Sequence, residues 1–392
     1  MLLSFLNLSS YFELLFYIFL TFFLMFSLYI IAENFLIPNL ENISKFYNLK
    51  SLEGILLGIG GSIPELTTNL IATLKGKIEI GIGAISGSGA MVLIFCFGLA
   101  GIVCKKNSKL NFFAYFRDIL MYLISIFLLV FFLKDKKIFF SQVCVMIVLF
   151  PIYVFIVNFC SICQNKNNEK NEENENENEK NLIEMEDIEN NNKNNENNNK
   201  KNNNKNIFLK TYNFTLKFYS YFLPKNEQYP TLSFIINLIF ILIHSNILII
   251  LIQIISNLLK IKQNFLGMTL ISWGDNIGDI LNTFILARKN NLETLSNSLI
   301  SSQIFNILIC LNFPWLILLI KNKFFYSNDF NNDFNNYIEI KFNNFYSLFI
   351  AILSSIIIIV LFCMKLNKIN GIILIIIYFY YLYYEFNLSN KN

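Results

Sequence analysis

Gly60-Gly61-Ser62-Ile63-Pro64-Glu65 and Gly274-Asp275-Asn276-Ile277-Gly278-Asp279 are the two stretches that decide the fold of this chain. The second begins 214 residues after the first, and at that one offset Gly60 falls on Gly274, Ser62 on Asn276, Ile63 on Ile277 and Glu65 on Asp279. The register continues without a gap: Lys75 falls on Lys289, Ser88 on Ser302 and Leu93 on Ile307. The coincidences include a glycine, an acid and a serine within apolar runs, and self-similarity at a fixed offset marks a duplicated architecture.

Both stretches lie in apolar surroundings. The chain has 392 residues, of which 55% are hydrophobic and only 15% charged. Soluble domains carry about 25% charged residues, so a soluble enzyme is excluded on surface charge alone. The apolar residues form long runs and not a period-two alternation, which excludes an outer-membrane barrel. A net charge of +4 is small for the length and points to no nucleic-acid partner. Eleven of the 15 glycines lie between Gly54 and Gly101, and three more are Gly267, Gly274 and Gly278. Small residues clustered in a membrane protein mark close backbone approach or broken helices.

Runs long enough to cross a bilayer as helices extend over about 11–32, 49–74, 78–104, 112–133 and 138–159, and again over about 231–259, 263–287, 292–320, 344–364 and 369–386. The first has no basic leader or cleavage site, so it is expected to be retained. Between the two sets, residues 164–206 are almost all Asn, Glu and Lys and hold 11 of the 27 acidic residues. That composition cannot bury enough apolar surface to fold, which predicts disorder. Residues 207–222 are aromatic and moderately basic, as in a segment lying along the membrane surface. The fold class expected is therefore an all-α polytopic membrane protein of about ten transmembrane helices, organised as 1–160, 161–206, 207–230 and 231–392. Five helices per half is an odd number, so the second copy enters from the opposite side and the repeats are inverted. Gly60, Gly61 and Pro64 are expected to break one helix, and Gly274 and Gly278 its mate.

Carboxylates inside such helices are costly and usually line an ion path. Ser62, Thr68 and Asn69 share the helical face of Glu65. Asp275, Asn276, Asn282 and Thr283 share that of Asp279, and Ser298, Ser302 and Asn306 recur every fourth residue on the next helix. Oxygen donors of this kind suit a hard cation such as Ca²⁺ or Na⁺; polar glue between helices is the competing explanation. Other features carry less. Glu33 ends the first span as an interfacial anchor or an ion-entry residue. His244 reads as helix packing and Arg117–Asp118 as an interfacial pair. Cys160 and Cys163 form one CxxC, without the further ligands that zinc requires.

The stretch Ala32-Glu33-Asn34-Phe35-Leu36-Ile37-Pro38-Asn39-Leu40, followed by Gly60 to Glu65, resembles the first half of sodium/calcium exchangers of the cation/calcium antiporter superfamily. Gly267-Met268-Thr269-Leu270-Ile271-Ser272-Trp273-Gly274-Asp275-Asn276-Ile277-Gly278-Asp279, with Ala287-Arg288-Lys289 and Ile304-Phe305-Asn306-Ile307-Leu308, resembles the second. The branch it is most similar to is that of the cation/calcium exchangers, which include the mitochondrial sodium/lithium/calcium exchanger. The resemblance implies an inverted five-plus-five fold and exchange of Ca²⁺ for a monovalent cation, Na⁺ first, with K⁺ or H⁺ as alternatives. It implies Glu65 and Asp279 as paired acidic ligands, Ser88 and Ser302 as serine ligands and Asn306 as an amide ligand one turn on, with Ser62, Asn276 and Asp275 beside them. The mate of Asn306 is Val92, which cannot ligate, and Asp275 stands where the family usually has Asn, adding a carboxylate. The expectation is a multi-pass, monomeric antiporter with no enzyme activity and no cofactor apart from the transported ions; a cation channel is the alternative from another class.

Overall fold

The apolar runs become helices because in lipid each backbone N–H and C=O must be satisfied within its own segment. In the computed structural model the described residues are 8–46, 60–104, 108–109, 112–172, 205–223, 230–289, 291–325, 337–340, 350, 352–353, 356–357 and 365–391. The helices are α1 (Leu8–Ile31), α2 (Ile37–Phe46), α3 (Ile63–Leu74), α4 (Ile78–Ala90), α5 (Phe97–Val103), α6 (Phe112–Phe132), α7 (Phe140–Glu172), α8 (Lys205–Ser220) and α9 (Pro230–Leu259). They continue with α10 (Gln263–Leu266), α11 (Ser272–Asp275), α12 (Ile277–Arg288), α13 (Leu292–Phe305), α14 (Asn312–Phe325) and α15 (Lys368–Lys391). Single π-turns join α1 to α2 (Ala32–Leu36), α4 to α5 (Met91–Cys96), α10 to α11 (Gly267–Ile271) and α13 to α14 (Asn306–Cys310). Such widened turns inside helices are frequent at functional sites. Two short antiparallel pairings join loops: Ser108–Lys109 with Lys365–Leu366, and Lys137–Phe139 with Tyr337–Glu339.

Seven helical stretches among the described residues are long and apolar enough to cross a membrane: Phe12–Asn39, Ile78–Val103, Tyr115–Phe132, Phe140–Val157, Thr231–Leu259, Leu292–Asn322 and Lys368–Leu388. The runs at 49–74 and 263–287 are the two in which the glycines and Pro64 predict a break. Residues 47–59 lie outside the described residues, and the rest of that run begins afresh at α3. The second run is divided into α10, a π-turn, α11 and α12. Most of 344–364 also lies outside the described residues. α7 runs on to Glu172, into the stretch expected to be disordered. Glu and Lys are good helix formers, and adding a turn to an existing helix avoids the cost of nucleation. Residues 173–204 lie outside the described residues.

By contacts the chain divides into two units, Met1–Phe150 with Leu223–Asn392, and Pro151–Phe222. The smaller contains the second part of α7 and all of α8, whose Thr215 and Tyr219 are buried while Phe214, Phe218, Tyr221 and Phe222 around them are exposed. The larger has the inside-out polarity of a membrane protein. Phe12, Phe19, Phe113 and Ile376 face outward, whereas Thr68, Ser88, Asn276 and Asn306 are fully buried. Close approach is set by small residues, as expected where lipid removes the hydrophobic drive between helices. A Cβ on Gly83 or Gly87 of α4 would overlap the backbone of Asn264 or Met268.

Candidate functional site

The two motif helices begin alike. Ser62 precedes α3 at φ −95°, ψ 5°, and Asn276 precedes α12 at φ −96°, ψ 15°; each helix is 12 residues long. Both starting residues also accept a backbone bond at 3.1 Å four residues on, from Leu66 and Ile280. Pro64 lies in the first turn of α3, where its missing N–H costs nothing. The 214-residue offset therefore holds in backbone conformation as well as in sequence. Gly274 has a different role from the one expected. The break falls at Asn276, between Gly274 and Gly278; Gly274 lets α1 approach, since a Cβ there would overlap the Met25 side chain, whereas one on Gly278 would make only ordinary contact, 3.5 Å from Tyr29.

A cavity of about 430 Å³ opens at these breaks. Its wall includes Ser62, Asp275, Asp279, Ser302 and Glu33, together with Asn282, Thr294, Ser298 and Ser301. Glu33 is delivered to it by the π-turn Ala32–Leu36. The other expected ligands lie in a buried network. Ser88 Oγ donates to Asn276 Oδ1 at 3.0 Å and to Gln303 Oε1 at 3.2 Å. Asn306 Nδ2 reaches Ser88 Oγ at 3.4 Å and Gln303 Oε1 at 3.5 Å, and Asn276 Nδ2 donates to the Ser272 carbonyl at 2.6 Å. Glu65, 5% exposed, lies within electrostatic reach of Asp275 and Asp279 and within reach of the Asn306 side chain.

Several oxygens are left over. Glu65 Oε2, both carboxylate oxygens of Asp275 and Asn306 Oδ1 are buried without a hydrogen-bond partner. A buried acceptor that lacks a donor is costly, and a cation is one thing that satisfies it. Among the described residues no three His, Cys, Asp or Glu side chains converge as a metal-holding group. The three acids thus do not form a shell by themselves, and an ion here would draw on hydroxyl, amide and carbonyl oxygens as well. That mixed oxygen set fits a hard cation.

Two participants are not legible in the sequence motifs. Gln303 has Gly89 as its mate at the 214-residue offset, so the repeat does not mark it. Cys310 reads as a small hydrophobe, yet its Sγ donates to the Ser62 carbonyl at 3.6 Å and its own carbonyl accepts from Asn69 Nδ2 at 2.5 Å. The weaker candidates behave as structure. His244 Nδ1 sits 2.8 Å from the Phe240 carbonyl, and Arg117 pairs with Asp118 at 2.7 Å. The side chains of Cys160 and Cys163 lie outside the described residues.

Comparison with known proteins agrees with this architecture. The chain is similar in structure to native YfkE (TM-score 0.55, 13% identity, 93% of this chain and 89% of that one). It is also similar to the sodium-calcium exchanger NCX_Mj soaked with 10 mM Na⁺ and zero Ca²⁺ (TM-score 0.50, 16% identity, 93% and 97%). In sequence it is 30% identical over 132 residues to the sodium/potassium/calcium exchanger Nckx30C of Drosophila melanogaster, a match covering 33% of this chain and 15% of that protein. It is 27% identical over the same length to human sodium/potassium/calcium exchanger 4, covering 33% and 21%. The matched part is thus about a fifth or less of either relative. The profile of the sodium/calcium exchanger proteins matches residues 17–159 and 229–387, most of each half and both motifs. With its membrane-length helices and its two alike broken helices, this chain is an integral multi-pass membrane protein that belongs to the sodium/calcium exchanger family.

Proposed function

We propose that the protein is a secondary active antiporter, not an enzyme, that exchanges Ca²⁺ for a monovalent cation, Na⁺ first, by alternating access at one central site. Its ligands are Glu65 and Asp279, with Asp275, Ser62, Ser88, Ser302, Asn276 and Asn306 supplying further oxygens. The observation that carries the reading is the pairing of acids. Glu65 and Asp279 occupy the same third position of two equivalent 12-residue helices. Ca²⁺ neutralises them in one step; Na⁺ competes for the same oxygens from the other side. Coupling follows from electrostatics, because unpaired buried carboxylates are costly and hinder the empty carrier from changing conformation.

In this reading, 1–160 and 231–392 are five-helix repeats of opposite topology, and 207–230 lies along the membrane surface. The family profile's one stretch in each half supports the duplication. α1 and α9 take equivalent places and slide across the site as the gate, in a monomer. K⁺ is the second candidate for the coupling ion, because the similar exchangers of fly and human are named for sodium, potassium and calcium.

The test is uptake of radiolabelled Ca²⁺ into proteoliposomes against outward Na⁺, K⁺ or H⁺ gradients. One gradient should drive uptake, and Glu65→Gln and Asp279→Asn should each lower it by at least about tenfold, equivalent to about 1.4 kcal/mol. Absence of gradient-driven flux, or wild-type flux in both variants, would overturn the proposal. Ca²⁺ flux that needs no counter-cation would identify a channel instead.

A further inference from the structure

Gln303 is 1% exposed and, with Asn276 and Asn306, is one of three second-half residues hydrogen-bonded to Ser88 of the first half. A hydroxyl or an amide holds a cation only through an oxygen lone pair, so its hydrogens must be given to another acceptor. In this site those acceptors are Gln303 Oε1, which serves both side chains, and Asn276 Oδ1, the nearer of the two to Ser88. Gln303 Oε1 takes the Ser88 hydroxyl hydrogen at 3.2 Å, shared with Asn276 Oδ1, and takes Asn306 Nδ2 at 3.5 Å. With its NH₂ directed to Gln303 and Ser88, Asn306 is left with Oδ1 buried and unpartnered, the group a cation needs. Gln303 Nε2 points the other way, to Ser302 Oγ at 3.5 Å, and that serine gives its own hydrogen to the Leu299 carbonyl at 3.0 Å. The amide therefore has a defined orientation and both of its ends are occupied.

The first half has no equivalent. The mate of Gln303 is Gly89 and the mate of Asn306 is Val92, neither with a polar side-chain atom. The acceptor that orients the first half's serine, Ser88, is accordingly supplied by the second half.

We propose that Gln303 is a positioning residue for the transported cation: it turns the oxygens of Ser88 and Asn306 toward the ion and is not itself a ligand. The inference rests on the antiporter reading above. A held donor geometry acts mainly on the affinity of the bound ion, because an oriented site loses less freedom on binding. Removing the acceptor at constant volume should therefore raise half-saturation for Ca²⁺ more than it lowers the maximal rate.

The experiment compares wild type, Gln303→Met, Gln303→Glu, Ser88→Ala and the Gln303→Met/Ser88→Ala double variant in full-length reconstituted protein. Gradient-driven Ca²⁺ flux is measured alongside Ca²⁺-dependent thermal stabilisation in detergent. Gln303→Met should raise half-saturation about tenfold with the maximal rate within about threefold. Gln303→Glu keeps the acceptor and adds a charge that attracts Ca²⁺, so its half-saturation should rise no more than about threefold above wild type. In the double variant the serine is already unoriented, so its further loss should cost far less than Ser88→Ala does alone. Wild-type half-saturation in Gln303→Met, or strictly additive losses in the double variant, would overturn the inference and leave the antiporter reading standing. Should Gln303→Met fail to fold, a Gln303→Glu protein that folds and yet loses Ca²⁺ affinity about tenfold would overturn it equally. A wild-type protein with neither flux nor Ca²⁺ stabilisation would overturn both.

Discussion

At the scale of single residues, Asp275 is the third carboxylate of the candidate site. It adds a negative charge beside Asp279, its two oxygens are buried without partners, and it lines the cavity. An added carboxylate favours divalent over monovalent occupancy. Asp275→Asn should therefore weaken Ca²⁺ half-saturation several-fold and shift the preference among Na⁺, K⁺ and H⁺ as driving ions. Flux under each gradient measures this, and an unchanged preference would show that Asp275 does not set it. Tyr378 serves packing instead. Its hydroxyl accepts from Trp273 Nε1 at 2.6 Å and contacts Met91 Sδ. Tyr378→Phe leaves the indole N–H without that acceptor and should cost about 1 kcal/mol, seen as a lower melting temperature with flux retained. Glu65, Asp279, Ser88 and Ser302 were legible because charge and hydroxyl groups stand out in apolar helices. Gln303 was not, because its partner Ser88 lies on another helix, 215 residues away, and no spacing along the chain records that contact.

At the scale of elements, the contact of α4 with the segment 263–271 is made by backbone against backbone. A Cβ on Gly87 would overlap the main chain of Met268, which has nowhere to go, whereas one on Gly61 would meet nothing within 4 Å. Gly87→Ala should thus destabilise by about 1–3 kcal/mol and Gly61→Ala should leave the melting temperature near wild type. Thermal unfolding in detergent compares them directly. A second element-level device ties α9 to α3, where Ser245 Oγ lies 3.0 Å from Thr67 Oγ1 and 3.4 Å from Thr68 Oγ1. α1 has Met25 and Tyr29 against glycines instead. If α9 slides during transport, these bonds must break. Ser245→Ala is expected to change the maximal rate about threefold or more with little effect on half-saturation, roughly 0.6 kcal/mol on the barrier. Equal changes in both parameters would contradict a gating role. The glycine cluster announced close approach in the sequence; which backbone each glycine would meet depended on pairing elements distant along the chain.

At the scale of the whole molecule, every residue assigned to the site lies in 60–104 or 230–325, apart from Glu33 of the cavity wall, and the Asn/Glu/Lys tract carries none of them. Excision of 173–204 is therefore expected to leave gradient-driven Ca²⁺ flux within about twofold of wild type, since long connecting loops contribute little to stability. Loss of flux in a protein that still reaches the membrane would assign the tract a role in transport. The sequence by itself determined the membrane class, the helical character, the duplicated motif at a constant offset and the acids within it. These follow from composition and from local periodicity, which act along the chain. Only the tertiary structure decided that the breaks fall at Ser62 and Asn276, that Gly274 makes room for α1, and that Gln303 and Cys310 bond to Ser88 and the Ser62 carbonyl. Those outcomes depend on which helix faces meet and on where hydrogen-bond donors find acceptors. Both are properties of packing in three dimensions, and a linear pattern does not encode them.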